Sequence, residues 1–151
     1  MISFKVPGKP QGKARARTFY DAKRQRYRSH TPDNTVLYEN LIMACYWKAA
    51  AEADHEPYLN KEPIRIDITA FYEIAKSTSR KDRTRIEEGK LKPVKKPDID
   101  NVCKVVCDAL NGVAYKDDAQ IVQMNASKEY AESEPYITVT VRLAQEITSN
   151  A

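Results

Sequence analysis

Apolar and polar residues alternate with a period of two in several stretches of the chain. Ile2, Phe4 and Val6 form the first such run, and residues 64–70 and 137–143 form two clearer ones. A fourth apolar stretch, residues 121–126, follows a turn-like Asp-Asp pair. Because alternation places every second side chain on one face of a sheet, these stretches predict four strands with one buried face.

A helical spacing of apolar residues begins after Thr31-Pro32 and continues to about Glu52. Thr31 is the predicted N-cap and Pro32 the first helical residue, where its missing N–H costs nothing. The predicted buried side comprises Leu37, Leu41, Ala44, Cys45 and Ala49. Tyr46 and Trp47 are expected in the core or at an interface.

A second helix is predicted from Asp98 to Asn111. Its apolar stripe follows Ile99, Val102, Val106 and Leu110, and Gly112 suits the residue after a helix end. We expect the Asp98 carboxylate to cap the helix by accepting a backbone N–H near Asn101. Asp100 and Lys104 lie one turn apart on the polar face.

Basic residues are concentrated in two windows, residues 9–28 and 76–96, which hold 17 Lys and Arg against four Asp and Glu. The first resembles a hairpin with its tip at residues 21–24 and with Phe19, Tyr20 and Tyr27 between its cations. The second lacks apolar periodicity and is interpreted as a DNA-facing flap, with a short helix capped by Ser77 or Ser79 and ended by Gly89. Cations with interspersed aromatic rings are typical of nucleic-acid surfaces, although such runs are also found as solvated faces.

Carboxylates gather around the second helix: Asp98 and Asp100 at its start, Asp108 near its end, and Asp117-Asp118 after the turn. No histidine or ordered cysteine pattern accompanies them, so the oxygen donors favour Mg²⁺ or Mn²⁺ over zinc. Each aspartate alone has a structural explanation as a cap, a turn residue or a solvated side chain. Their combination with Lys104 favours a metal site.

The segments PDIDNVCK, DALNG and DDAQI resemble the signature of the RusA family of Holliday junction resolvases. The resemblance implies that Asp98, Asp100 and Asp118 bind the catalytic metal and that Lys104 is the motif lysine. Pro97 stands where the family has a basic residue, so Lys95 or Lys96 is expected to substitute. The resemblance extends from about Phe4 to Leu143 and implies a homodimer with two active sites.

The length of 151 residues predicts one domain, residues 1–151, with a flexible tail at 145–151. We expect an α+β fold, a mixed sheet with helices packed on it and a basic N-terminal hairpin. Three cysteines and no long apolar segment argue against a disulfide framework and a membrane span, so a cytoplasmic protein is expected.

Together these observations predict a Mg²⁺-dependent, or Mn²⁺-dependent, endodeoxyribonuclease that resolves four-way DNA junctions by paired nicks. Asp98, Asp100, Lys104 and Asp118 are the predicted catalytic residues, and Asn101 and Asp117 would support the metal ligands. The alternatives are a nuclease acting on flaps or forks, and a DNA-binding protein without catalysis; a phage, prophage or chromosomal role stays open. The predicted DNA contacts are Lys13, Arg15, Arg17, Arg24, Arg26, Arg28, Arg80, Lys81, Arg83, Lys95 and Lys96.

Overall fold

Four strands form a mixed sheet in the order β1-β6-β4-β5 in the computed structural model of the chain, which describes residues 1–14, 16–30 and 32–144. They are β1 (Ile2–Pro7), β4 (Ile64–Tyr72), β5 (Ile121–Tyr130) and β6 (Tyr136–Leu143). β6 pairs antiparallel with β1 and with β4, whereas β5 pairs parallel with β4. The mixed sheet and the α+β class are therefore confirmed.

Three helices accompany the sheet: α1 (Asp33–Glu52), α2 (Arg80–Glu87) and α3 (Ile99–Leu110). A separate hairpin consists of β2 (Arg17–Asp21) and β3 (Arg26–His30), which confirms the predicted basic hairpin. Ser79 caps α2 by accepting the Asp82 N–H, as one of the two predicted caps. The parallel pairing of β4 and β5 requires a long crossover, and that crossover contains α2 and α3.

One face of the sheet is buried under α1 and α3. Along β4, Ile64, Ile66, Ile68 and Ala70 are each 1% exposed or less, as their alternation predicts. From α3, Val102, Val105, Val106 and Leu110 are fully buried against this face. Because the apolar stripe of α3 is buried, the opposite side of the helix faces solvent. That side carries Asp100 and Lys104.

The predicted buried face of α1 is only partly correct: Cys45 and Ala49 are partly buried against the core, whereas Leu37, Leu41 and Ala44 are exposed. Thr35, Tyr38, Ile42, Tyr46 and Ala50 are buried instead, while Leu37 is 68% exposed and Leu41 38%. Trp47, which we expected in the core or at an interface, is 51% exposed. Apolar residues lie on every side of this helix, so their spacing does not identify the side that packs.

Some predictions concern residues outside the described part of the chain: the Thr31 cap, the Arg15 contact and the tail at 145–151. At the start of α1, Pro32 is the N-cap residue and gives no side-chain hydrogen bond. Within the described ranges, no helix is long and apolar enough to cross a membrane.

Candidate functional site

The polypeptide enters α3 through Pro97, whose position is fixed by Tyr72 at the end of β4. The Tyr72 hydroxyl donates a 2.6 Å hydrogen bond to the Pro97 carbonyl oxygen. Burial, and then the nearby charge of Asp98, raise the pKa of Tyr72 to about 12. The phenol therefore remains a donor at neutral pH and ties the start of α3 to the sheet.

Asp98 is the N-cap residue of α3, but its side chain does not accept the backbone N–H that we predicted. Its carboxylate instead binds the Lys96 ammonium, which lies 2.8 Å from each of the two oxygens. The extended backbone of Asp98 still begins the helix. Lys96 is thus the basic partner of Asp98 in the structure, and its substitution for the family's basic residue stays a prediction.

Asp100 and Lys104 occupy the exposed side of α3, as predicted from their spacing. The Lys104 side chain is 62% exposed and lies 3.9 Å from Asp108, one turn further along. This is a long and weak ion pair, because exposed i,i+4 pairs contribute only about 0.3–0.5 kcal/mol. The Lys104 ammonium is therefore accessible to an external anion beside Asp100.

The N-terminal segment docks onto the first turn of α3 at Gly12-Lys13. The Lys13 N–H donates to the Asn101 carbonyl oxygen at 3.1 Å. A Cβ atom on Gly12 would lie 2.9 Å from the Asn101 Cβ and 3.2 Å from the Pro97 Cβ, so the two backbones approach closely. Asn101 thus contributes its main chain to this contact, and its predicted support of a carboxylate stays a prediction.

Lys13 does not extend toward solvent as a predicted DNA contact would. Its ammonium lies 2.5 Å from Glu39 on α1 and 3.2 Å from Asp108 on α3, with 21% of the side chain exposed. Burial lowers the pKa of Lys13, but the hydrogen bonds and charges of Glu39 and Asp108 outweigh it and the net shift is upward. Lys13 therefore carries its charge within an ion cluster between the two helices.

Asp118 begins a single 3₁₀ turn, Asp118–Gln120, between α3 and β5. Asp117 caps this turn by accepting the Ala119 N–H at 2.8 Å, and the Asp118 N–H donates to the Asn111 side chain at 3.2 Å. Gln120, only 7% exposed, donates to the Tyr58 and Glu62 carbonyls and accepts from the Lys116 and Asp117 N–H groups. These bonds fix the backbone of Asp118 and leave its carboxylate exposed.

We did not single out Asn111 or Gln120 as site residues from the sequence. The Gln120 role has a recognisable signal, because Asp117-x-x-Gln120 has the spacing of a capping box. Asn111 has no comparable signal, since an asparagine before glycine is expected at any helix end.

The carboxylates fit a hard divalent cation in donor chemistry, but one chain does not gather three of them. Asp98 and Asp100 lie at the first turn of α3, whereas the backbone N–H of Asp118 is bound to the Asn111 side chain at the other end of the helix. Within the described ranges, no three His, Cys, Asp or Glu side chains are close enough together to hold a metal ion. The three-ligand assignment stays a prediction.

The β2–β3 hairpin separates its cations from its tyrosines. Alternation along the paired strands puts Arg17, Phe19, Arg26 and Arg28 on one face, and Tyr20 opposite Tyr27 on the other. The two tyrosine rings pack edge to face with centroids 5.4 Å apart. Arg28 also contacts Asp21 at 3.4 Å. The hairpin therefore has one cationic face.

Some of the other predicted DNA contacts are exposed cations, and some donate hydrogen bonds to backbone carbonyls. Arg80 and Lys81 are exposed at the start of α2, and Arg24 lies in the hairpin turn. Arg83 donates to the Ala75 and Thr78 carbonyls, and Lys95 to the Glu73 carbonyl. Lys128, which we did not predict, donates to the Lys95 carbonyl and lies 4.8 Å from the Tyr72 ring centroid. A basic cluster thus surrounds the segment that enters α3.

Cys103 and Cys107 are free thiols on the buried side of α3. Burial, followed by the charge of the neighbouring thiol, raises the pKa of Cys107 to about 11, and burial also raises the pKa of Cys103. Protonated, buried thiols are poor nucleophiles and poor metal ligands. The structure thus supports packing as their role.

Comparison with known proteins gives two matches. The sequence profile of the family described as "Endodeoxyribonuclease RusA" matches residues 7–142. The chain is also 32% identical over 144 residues to "Uncharacterized protein YqaN" of Bacillus subtilis (strain 168), covering 93% of this chain and 95% of that protein. The matched region includes the hairpin, α3 and the 3₁₀ turn.

Proposed function

Because the chain belongs to the RusA family of endodeoxyribonucleases, we propose that it is a divalent-metal-dependent nuclease that resolves four-way DNA junctions by paired nicks. The observation that carries this proposal is the docking of the basic N-terminal segment on the first turn of α3. The bond from Lys13 to Asn101 puts the base of the cationic hairpin beside Asp98 and Asp100. This contact supports the proposal that phosphate-binding and cation-binding groups act side by side.

We propose that Asp98, Asp100 and Asp118 bind the metal, Mg²⁺ or Mn²⁺, and that the exposed Asp118 side chain reaches the pair at the start of α3 only when the metal binds. The exposed carboxylates of Asp98 and Asp100 supply hard oxygen ligands at the start of α3, and Asp118 completes the set that the family resemblance implies. When bound, the cation would lower the pKa of a water molecule and neutralise charge on the scissile phosphate.

The other residues of the site would contact phosphates or position the Asp118 turn. Lys104, exposed beside Asp100, would donate to a phosphate oxygen on which negative charge develops. Asp117 acts through the backbone, because its carboxylate caps the turn that carries Asp118. The hairpin cations Arg17, Arg26 and Arg28, with Arg24 and Arg15, would contact phosphates of the junction arms, together with Arg80, Lys81, Arg83, Lys95 and Lys96.

We propose that the active form is a homodimer, because two nicks in strands related by a two-fold axis require two centres with the same symmetry. The exposed apolar side of α1 supports this, since Val36, Leu37, Leu41 and Trp47 are 38–68% exposed. Isolated surface apolar residues are ordinary, but four on one helix favour a contact surface.

The test is Mg²⁺-dependent cleavage of one synthetic four-way junction beside matched flap, fork and linear duplex DNA. Paired symmetric nicks in the junction alone support the proposal. Preference for flaps or forks would assign the same chemistry to another branched substrate. Junction binding without any nicking, unchanged by Mg²⁺ or Mn²⁺, would favour a non-catalytic DNA-binding protein.

Mixed dimers test whether each chain of a dimer makes one of the two nicks. Wild-type chains mixed with Asp100→Asn chains should yield a species that nicks one strand and leaves its partner intact. A monomer in light scattering that cuts both strands in one encounter would contradict the dimer.

A further inference from the structure

We propose that Lys13 is a positioning residue, not a phosphate contact: it holds the segment before the basic hairpin between α1 and α3 and competes with Lys104 for Asp108. This inference rests on the proposed nuclease function for its activity readout. Its structural part rests on contacts within the chain alone.

The anchoring is made by both the main chain and the side chain of one short segment. The Lys13 N–H donates to Asn101 on α3 at 3.1 Å, and the next N–H, of Ala14, contacts the Thr35 hydroxyl on α1 at 3.4 Å. Thr35 is only 2% exposed. The segment therefore joins the two helices just before the hairpin begins at Arg17.

The side chain adds a second, electrostatic connection between the same helices. Glu39 and Asp108 approach each other across the cleft, with side chains 20% and 29% exposed, and Lys13 lies between them. Without that ammonium, two partly desolvated carboxylates would face each other, which is unfavourable. The charge of Lys13 thus links Glu39 on α1 to Asp108 on α3.

The same charge affects Lys104. Asp108 lies 3.2 Å from Lys13 and 3.9 Å from Lys104, so the shorter contact satisfies Asp108 and leaves Lys104 loosely held. If Lys13 is neutral, Asp108 has Lys104 as its remaining cation. We expect Lys104 to turn toward Asp108 and away from a bound phosphate.

Lys13→Met tests the proposal, with Lys5→Met as a matched control on an exposed lysine of β1 that lies over the Tyr136 ring, outside the site. We expect the single-turnover nicking rate at saturating junction to fall at least tenfold in Lys13→Met. The slope of log binding constant against log salt should stay within about 0.3 of wild type, because no phosphate contact is lost. Amide exchange at residues 13 and 14 should accelerate at least tenfold.

A second variant tests the proposal by also removing Asp108, the carboxylate that Lys13 neutralises. The double variant Lys13→Met/Asp108→Asn should recover nicking to within about threefold of Asp108→Asn alone, because Lys104 then has no competing partner. A salt slope reduced by about one, with slow amide exchange and no recovery in the double variant, would instead make Lys13 a phosphate contact and overturn the proposal. Slopes and exchange need no nuclease activity, so an inactive wild type would refute the proposed function and leave this test intact.

Discussion

The Lys96 ammonium lies 2.8 Å from both carboxylate oxygens of Asp98, so a cationic side chain already occupies the side of Asp98 that a metal ion would approach. Lys96 is 83% exposed and can move away at little cost. If Asp98 is a metal ligand as proposed, the dication must therefore compete with the Lys96 ammonium for its carboxylate.

Replacing Lys96 by Met should strengthen metal binding and weaken DNA binding. An exposed ion pair contributes about 0.2–1 kcal/mol, so its removal should tighten Mn²⁺ binding by a factor between about 1.4 and 5. Calorimetric titration with Mn²⁺ in the absence of DNA measures this, with Lys95→Met as the control on the adjacent lysine that contacts a carbonyl. Equal Mn²⁺ affinity in wild type and Lys96→Met would separate Asp98 from the metal site.

The substitutions Asp98→Asn, Asp100→Asn and Asp118→Asn should each abolish nicking and retain junction binding. Each removes a negatively charged ligand and adds no bulk. Gel assays of nicking and binding on the same junction, in Mg²⁺ and in Mn²⁺, give both quantities. Asp117→Asn should cause a smaller loss, because an amide oxygen can still cap the Ala119 N–H; an equal or larger loss would exchange the roles of the two residues.

Neutralising the cationic face of the hairpin should flatten the salt dependence of DNA binding. The triple variant Arg17→Gln/Arg26→Gln/Arg28→Gln should reduce the slope by about 2–3, since each phosphate contact contributes about 0.9. The double variant Tyr20→Ser/Tyr27→Ser alters the opposite face and should leave the slope unchanged. An unaltered slope in the triple variant would remove the hairpin from the DNA surface.

The strands, α2 and α3 could be predicted because their patterns are local. Alternation in β4 and the stripe of α3 each describe an element with one buried side, and Asp98 and Gly112 mark the ends of the helix. The buried face of α1 could not be predicted, because a polar Thr35 is buried there while Leu37 is exposed.

Within the candidate site, the sequence predicted which side chains lie on the polar face of α3, but not which residues of other elements form ion pairs there. Glu39 and Asp108, which bind Lys13, are distant from it in sequence and are brought together only by the packing of α1 on α3. The sequence therefore predicts Lys13 as a DNA contact from its basic window alone, and the two carboxylates that bind it are seen only in the structure. Likewise, the separation of Asp118 from Asp98 depends on how the turn after α3 is fixed by Gln120.

Gln120→Leu should destabilise the protein and lower nicking together. The substitution removes the Gln120 donor from the Glu62 carbonyl and the Gln120 acceptor from the Asp117 N–H, and each such unpaired group costs about 1–3 kcal/mol. The Tyr58 carbonyl and the Lys116 N–H remain bonded to each other. We expect a loss of at least about 2 kcal/mol in urea unfolding. Gln123→Leu on the exposed edge of β5 is the control; similar unfolding curves for the two variants would show that Gln120 does not fix the turn.

Stability should decline in alkali through Cys107. Its pKa is raised to about 11 by burial, so the folded state keeps a proton that the unfolded state loses near pH 9. Stability is therefore complete below pH 9 and decreases as the pH rises to about 11, with one proton contributing about 1.4 kcal/mol per pH unit. Urea unfolding at pH 8–11 should give a steeper decline for wild type than for Cys107→Ala. Parallel declines would mean that the thiol ionises in the folded state.

Because β5 runs parallel to β4, the segment of residues 73–120, with α2, α3 and every carboxylate of the site, closes as one loop when the two strands meet. Closing so long a loop costs conformational entropy before the contacts between β4 and β5 can form. This step is therefore expected to be slow in refolding. On the ribosome, α3 emerges before β5 exists to close that loop. A nascent chain halted before Ile121 therefore lacks both strands that pair with β4, so the apolar stripe of α3 has no formed sheet to pack on. The site can form only when the last two strands have been made.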